Sequence, residues 1–212
     1  MNQKLDALLD ANPLVPVVVL NNLADAKPAF EALRAGGITC AEVTFRTPIA
    51  AQAIQVCAEM DGMTAGAGTV INAEQARQAV DAGAQFIVSP GWSASVYQVA
   101  TDAQIPYLPG CVNASQIMLA LEAGLDVVKF FPAIASGGLP ALKALHGPFP
   151  QVSFVPTGGI SASNLAEWIT QPFIRSVGGS WMITTQLVQE GHWEEITRLS
   201  AHALQIVKQA RS

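Results

Sequence analysis

Of the five lysines in the chain, four (Lys4, Lys27, Lys143 and Lys208) fall in helical, polar surroundings where a solvated ammonium is expected. Lys129 does not. It stands in Val127-Val128-Lys129-Phe130-Phe131-Pro132, the middle of an apolar strand. Burying an ammonium there is costly without a partner or a role. An ordinary lysine, with pKa near ~10.4, is almost wholly protonated at neutral pH, and an apolar surround favours the neutral amine. Only the neutral amine attacks a ketone, so the position suits a nucleophilic, Schiff-base lysine. A structural ion pair is the competing reading.

The second unusual charge is Glu42, in Ala41-Glu42-Val43-Thr44-Phe45-Arg46-Thr47. Side chains alternate along a strand, so Glu42, Thr44 and Arg46 share one face, and Val43 and Phe45 the other. Packing the apolar pair against helices turns the polar trio inward. Glu42 is then a candidate general acid/base and Arg46 a candidate binder of a substrate carboxylate. Glu42 could instead merely pair with Arg46 or neutralise Lys129. Two glycine pairs, Gly158-Gly159 and Gly178-Gly179, come after the seventh expected strand and at the eighth. Gly-rich turns present N–H groups to anions, and β/α barrels often hold phosphate at these two loops. Gly66 and Gly68, in a third Gly-rich strand end, allow close approach of a substrate or fit a narrow barrel.

The elements that must position these groups alternate. Strands are expected at 15–20, 41–45, 64–70, 86–90, 106–110, 127–131, 152–157 and 176–181, starting about 20–25 residues apart. Helices are expected at 2–9, 25–35, 48–60 (Thr47 as cap), 73–82, 114–123, 161–170 (Ser161 as cap) and 193–210. Eight βα units predict an α/β fold, a (β/α)8 TIM barrel, as one domain over residues 1–212 with an extra N-terminal helix at its bottom. A doubly wound open sheet is the alternative.

Composition narrows the function classes. The 212 residues are 50% hydrophobic and 13% charged, with a net charge of −5. Basic residues are scattered, which argues against a nucleic-acid surface. No apolar run approaches a membrane span, and Asp6, Asp10, Pro13 and Pro16 break the pattern of a secretion signal. Cys40, Cys57 and Cys111 read as reduced, buried thiols of a cytoplasmic protein. His146, His192 and His202 stand at no expected strand end, so neither a histidine metal site nor a Ser-His-Asp triad is supported.

With these residues in view, the chain resembles the 2-keto-3-deoxy-6-phosphogluconate and 4-hydroxy-2-oxoglutarate aldolases. The resemblance rests on Glu42-Val43-Thr44-Phe45-Arg46-Thr47, Gly66-Ala67-Gly68-Thr69-Val70, Ser89-Pro90-Gly91, Pro109-Gly110, Lys129-Phe130-Phe131-Pro132-Ala133, Gly147-Pro148-Phe149, Pro156-Thr157-Gly158-Gly159-Ile160 and Gly178-Gly179-Ser180-Trp181. It implies that Lys129 is the Schiff-base lysine and Glu42 the general acid/base. It implies that Arg46 and Thr69 hold the pyruvate carboxylate, that Pro90 and Phe131 wall the pyruvoyl group, and that Thr157 contributes to substrate recognition. Gly158, Gly159, Gly178, Gly179 and Ser180 then form the phosphate site. It further implies a homotrimer acting without metal or other cofactor on a 2-keto-3-deoxy sugar acid, releasing pyruvate and an aldehyde phosphate. Trp168 and Phe173 are candidate interface aromatics. Two segments depart from the family pattern: Val19 and Leu20 stand where some members carry a strand-one arginine, and the strand-five loop reads Cys111-Val112-Asn113. Arg46 favours the phosphogluconate branch over the galactonate branch. The rival functions are a phosphosugar isomerase or epimerase with Glu42 as base, and a non-catalytic phosphosugar sensor.

Overall fold

The structure, a computed structural model, describes residues 2–212. Eight parallel strands form in chain order: β1 Leu14–Val18, β2 Cys40–Thr44, β3 Thr64–Gly68, β4 Phe86–Val88, β5 Tyr107–Leu108, β6 Val127–Phe130, β7 Ser153–Pro156 and β8 Val177–Gly179. Strands β5 to β1 run in sequence order and β8 joins β1; β6 and β7 pair separately. Two bridges close the ring. Gly110 meets Lys129 between β5 and β6, and Thr157 meets Gly178 between β7 and β8. Backbone bonds from Lys129 N to Pro109 O (2.8 Å) and from Cys111 N to Lys129 O (2.8 Å) make the first closure. The sheet is therefore a barrel, not the doubly wound alternative.

Alternation along each strand sorts the apolar residues into two cores. Val15, Cys40, Phe86, Val88, Leu108, Val127 and Val155 fill the lumen. Val18, Ala41, Val43, Ala67, Ile87, Val128 and Phe130 face the surrounding helices. The N-terminal helix α1 (Asn2–Ala11) drives Leu5 and Leu9 into the lumen cluster and so plugs the bottom of the barrel. Arg175 holds this helix through Asp10 at 2.7 Å, and Lys4 bonds Gln104 O at 2.9 Å. The barrel is narrow at β3. A Cβ on Gly66 would overlap the Phe86 ring, which fills that space instead.

Helices α2 (Ala26–Ala35), α3 (Ala50–Ala58), α4 (Ala73–Asp81), α5 (Ala94–Asp102), α6 (Ala114–Glu122), α7 (Gly138–His146), α8 (Leu165–Ile169), α9 (Thr185–Gln189) and α10 (Trp193–Ala210) cover the outside. Asn72 and Asn113 cap α4 and α6 by accepting from Gln75 N (2.9 Å) and Gln116 N (3.0 Å), a local choice made by Asn just before a helical run. Among the described residues no helix is long and apolar enough to cross a membrane.

Several expectations need correction. Thr47 does not cap α3. It closes a turn through its carbonyl to Ala50 N (3.3 Å), and the helix starts past Pro48, with Ile49 at the cap position. Ser161 does not cap α8 either. Asn164 Oδ1 accepts from Ser161 N (2.8 Å), which makes 161–164 a turn and delays the helix to Leu165. The βα spacing left room for helices at α5 and α7, but the sequence pattern set no bounds for them or for α9; α7 is obscured by the paired glycines 137 and 138 at its start. Trp168 is 1% exposed and packs within the fold, so it offers no interface surface; Phe173 is partly buried and stacks on His146 at 4.3 Å.

The three cysteines are free thiols, all buried. Burial pushes Cys57 and Cys111 up to about 12, and Cys40 higher still. Raised values keep these thiols protonated and unreactive far above neutral pH. Iodoacetamide at pH 8 is expected to label none of them in the native protein and all three in urea, read by intact mass. Gly66→Ala is expected to cost about 1–3 kcal/mol by overpacking against Phe86. Urea unfolding should show Phe86→Leu in the same chain recovering part of that loss; purely additive costs would place the strain elsewhere.

Candidate active site

Lys129 leaves the middle of β6 and Glu42 the middle of β2, on opposite sides of the lumen. Lys129 Nζ lies 2.9 Å from Glu42 Oε1 and 3.1 Å from Oε2, so the carboxylate takes the ammonium with both oxygens. The residues are 5% and 2% exposed. The ring of Phe131 lies with its centroid 5.4 Å from Nζ, a favourable face for a cation. Glu42 reaches across because β3 has no side chain in its way. A Cβ on Gly68 would overlap the Glu42 carboxyl group. Of the two readings of Gly66 and Gly68, fit to a narrow barrel holds, with Glu42 itself as one of the fitted groups.

Arg46, two residues past the end of β2, does not pair with Glu42. Its Nε donates to Thr69 Oγ1 at 3.2 Å. Thr69 has a left-handed φ of 55°, a conformation unfavourable for a β-branched residue. Such strain costs of order 1–3 kcal/mol and collects at functional sites. Here it aims the hydroxyl at the guanidinium. Thr44, the third member of the inward trio, donates its hydroxyl to Val18 O at 3.1 Å and is 1% exposed, so it serves the barrel wall.

Near the pair, bordered by the Phe131 ring that Nζ faces, is a cavity of about 170 Å³ that neither Lys129 nor Glu42 lines. Arg46, Phe131 and Thr157 border it, with Gly158, Gly159, Gly179 and Ser180. Thr157 Oγ1 is buried there without a hydrogen-bond partner among the described residues. A buried hydroxyl left unpaired costs about 1–3 kcal/mol, which a polar ligand in this cavity would recover. Gly158 and Gly159 both take left-handed φ, 104° and 79°. Their carbonyls accept from Ile134 N (3.1 Å) and Asn164 Nδ2 (3.2 Å), so the turn is held from outside.

Of the predicted residues, Lys129, Glu42, Thr69, Pro90 and Gly178 do not line this cavity. Gly178 lies in β8 beneath the Thr157 side chain, in space a Cβ would share with Oγ1; its lack of a side chain seats Thr157. Pro90 is exposed on the β4 side, with its carbonyl against Gly110. Val17 and Ile160 border the cavity and were not foreseen, because an apolar residue at a strand end carries no chemical signal. A larger cavity, about 750 Å³, lies at the opposite end, beside α1. Its Asn12, Thr39 and Gln85 side chains already have hydrogen-bond partners, whereas the smaller cavity holds the unpaired Thr157 hydroxyl, which makes it the candidate site. Among the described residues no three His, Cys, Asp or Glu side chains are grouped to hold a metal ion.

This geometry meets independent similarity. The family model for KDPG and KHG aldolase matches residues 5–199. The 2-dehydro-3-deoxy-phosphogluconate aldolase of Treponema pallidum is 48% identical over 198 residues, 92% of this chain and 93% of that protein. The KHG/KDPG aldolase of Escherichia coli K12 is 41% identical over 204 residues, 96% of each chain. The crystal structure of KDPG aldolase from Legionella pneumophila, with pyruvate captured at low pH as a covalent carbinolamine intermediate, superposes with a TM-score of 0.90 at 42% identity, covering 93% of this chain and 97% of that one. A barrel with a lysine–carboxylate pair across its lumen, and similarity of this extent along its length, make the chain a member of the KDPG and KHG aldolase family.

Proposed function

We propose that the protein is a class I aldolase that cleaves 2-keto-3-deoxy-6-phosphogluconate to pyruvate and glyceraldehyde 3-phosphate, with 4-hydroxy-2-oxoglutarate, giving pyruvate and glyoxylate, as a second substrate. The buried Lys129–Glu42 pair, with Nζ facing the Phe131 ring that borders the cavity, carries this reading. Transfer of one proton from Lys129 to Glu42 leaves an amine and a carboxylic acid. The amine adds to the C2 ketone, giving a carbinolamine. Glu42 returns the proton to the departing hydroxyl, and water leaves an iminium ion. The carboxylate then takes the C4 hydroxyl proton. The C3–C4 bond breaks, its electron pair flows into the iminium, and the aldehyde departs. Glu42 protonates C3 of the enamine, and water releases pyruvate from Lys129. Each proton that Glu42 accepts it later gives back, which a carboxylate in contact with Nζ can do without moving far.

Arg46, supported by Thr69, is proposed to hold the keto-acid carboxylate, with Phe131 and Pro90 as walls of the pyruvoyl pocket. Thr157 is proposed to bond a substrate oxygen, its unpaired hydroxyl supporting this. Gly158, Gly159, Gly179 and Ser180 are proposed to take the phosphate, with Gly178 placing Thr157. A single catalytic domain assembled as a homotrimer is also proposed; exposed Ile71, Met118, Leu119 and Ile134 offer apolar surface for it. Free thiols support a cytoplasmic setting.

Incubation with pyruvate and borohydride should add one reduced pyruvyl group, mapped by peptide mass to Lys129. A folded protein that binds phosphosugars yet gains no adduct would point back to the isomerase or sensor. Lys129→Ala should abolish both adduct and cleavage, with folding checked by circular dichroism. Gly68→Ala should displace the Glu42 carboxylate and lower kcat by about 10²-fold, the scale of a misplacement near 1 Å. Unchanged turnover in a folded Gly68→Ala protein would remove Glu42 from the proton transfers.

A further inference from the structure

Pro90 stands in the short segment Ser89–Ser93 between β4 and α5, and it is exposed, so no apolar cover holds it in place. Hydrogen bonds hold the segment instead. Ser89 N donates to Leu108 O at 3.1 Å, and Ser89 Oγ donates to Val70 O at 2.6 Å. Beyond Pro90, Trp92 packs on the Tyr97 and Tyr107 rings and Ser93 caps α5, accepting from Val96 N at 3.4 Å, while one hydroxyl ties the backbone of 91 and 93 back to the barrel. Tyr107 Oη accepts from Ser93 N at 3.2 Å and donates to Gly91 O at 3.4 Å. The Tyr107 ring has little freedom to yield. The residue is fully buried and packs with Trp92 and Tyr97 at centroid distances of 6.0 and 6.3 Å. The Tyr97 hydroxyl points elsewhere, donating to Ala123 O at 2.8 Å. On the far side, the Pro90 carbonyl sits against Gly110, where a Cβ would overlap it, and Gly110 bridges to Lys129.

We propose that Tyr107 is a positioning residue for the keto-acid subsite: its hydroxyl sets Gly91 and Ser93, and through them holds Pro90 beside the strand of the reactive lysine. This rests on the reading of Pro90 as a wall of the pyruvoyl pocket. The hydroxyl never touches substrate, so it governs how well pyruvate is seated and not the bond-making steps.

Tyr107→Phe removes the hydroxyl and keeps the ring. The half-saturating pyruvate concentration for borohydride trapping, and KM for pyruvate in the condensation direction, should both rise about three- to tenfold, the loss of one or two ordinary hydrogen bonds. The value of kcat should stay within about twofold, since a seating effect leaves the chemical step alone. Tyr97→Phe, which cuts a tether outside the segment, should leave both constants unchanged. Unchanged pyruvate constants in a folded Tyr107→Phe protein, or a fall in kcat alone, overturn the proposal. Should Tyr107→Phe not fold, Tyr107→4-fluorophenylalanine fills the hydroxyl's space without its donor; unchanged pyruvate constants there overturn it equally. Absence of any adduct on the unmutated protein would instead sink the aldolase reading itself.

Discussion

An ammonium and a carboxylate taken out of water together each lose several kcal/mol of hydration, by rough estimate, and recover it only in close, well-aligned contact. Lys129 and Glu42 are such a pair, and much of the barrel's upper half can be understood from their need to meet. Gly68 leaves the space through which the glutamate side chain passes. The backbone of Lys129 bonds Pro109 O and Cys111 N, so the strand carrying the amine also closes the ring. The group that the chemistry would use is thus set where the ring is hydrogen-bonded closed. A buried pair alone would also fit a purely structural role. The unpaired Thr157 hydroxyl, the strained Thr69 and the cavity bordered by Phe131 and Arg46 argue for a ligand, because each costs stability without one.

The lower half answers a different constraint. A short barrel cannot leave its bottom open to water without wetting the lumen core. Leu5 and Leu9 close it from α1, and Phe86 fills the width that Gly66 leaves. Ligand contacts are thereby confined to the strand C-terminal ends, where loops can vary without disturbing the packed layers. Those loops are tied to one another as well as to the barrel. Ala133 N donates to Thr157 O at 2.8 Å and Ile134 N to Gly158 O at 3.1 Å, which joins the lysine strand's loop to the glycine turn. A substrate bridging the two would meet a preset spacing.

Much of this was legible in the amino-acid order. Lysine within an apolar strand and glutamate on the inward parity of another are local facts. Each implies burial, and burial implies a partner. The eight βα units are legible from β-branched runs and from Asn, Gly and Pro at their ends. Legibility failed where competing local bonds decide. Thr47 and Ser161 look like caps, yet a turn through Thr47 O and the Asn164 side chain delay the helices that follow them. Trp168 looks like a surface aromatic on a short polar helix, and α10 buries it.

The sequence by itself determined the strand periodicity, the inward face of Glu42 and Arg46, and the isolation of Lys129 among apolar residues. These depend only on alternation and on the cost of burying charge. Tertiary structure alone decided that Lys129 meets Glu42 while Arg46 meets Thr69, that Thr44 is consumed by the wall, and that Gly178 supports Thr157 from below. Such pairings depend on register around a closed ring, where residues 87 positions apart come within 2.9 Å. No local pattern encodes a distance across the lumen.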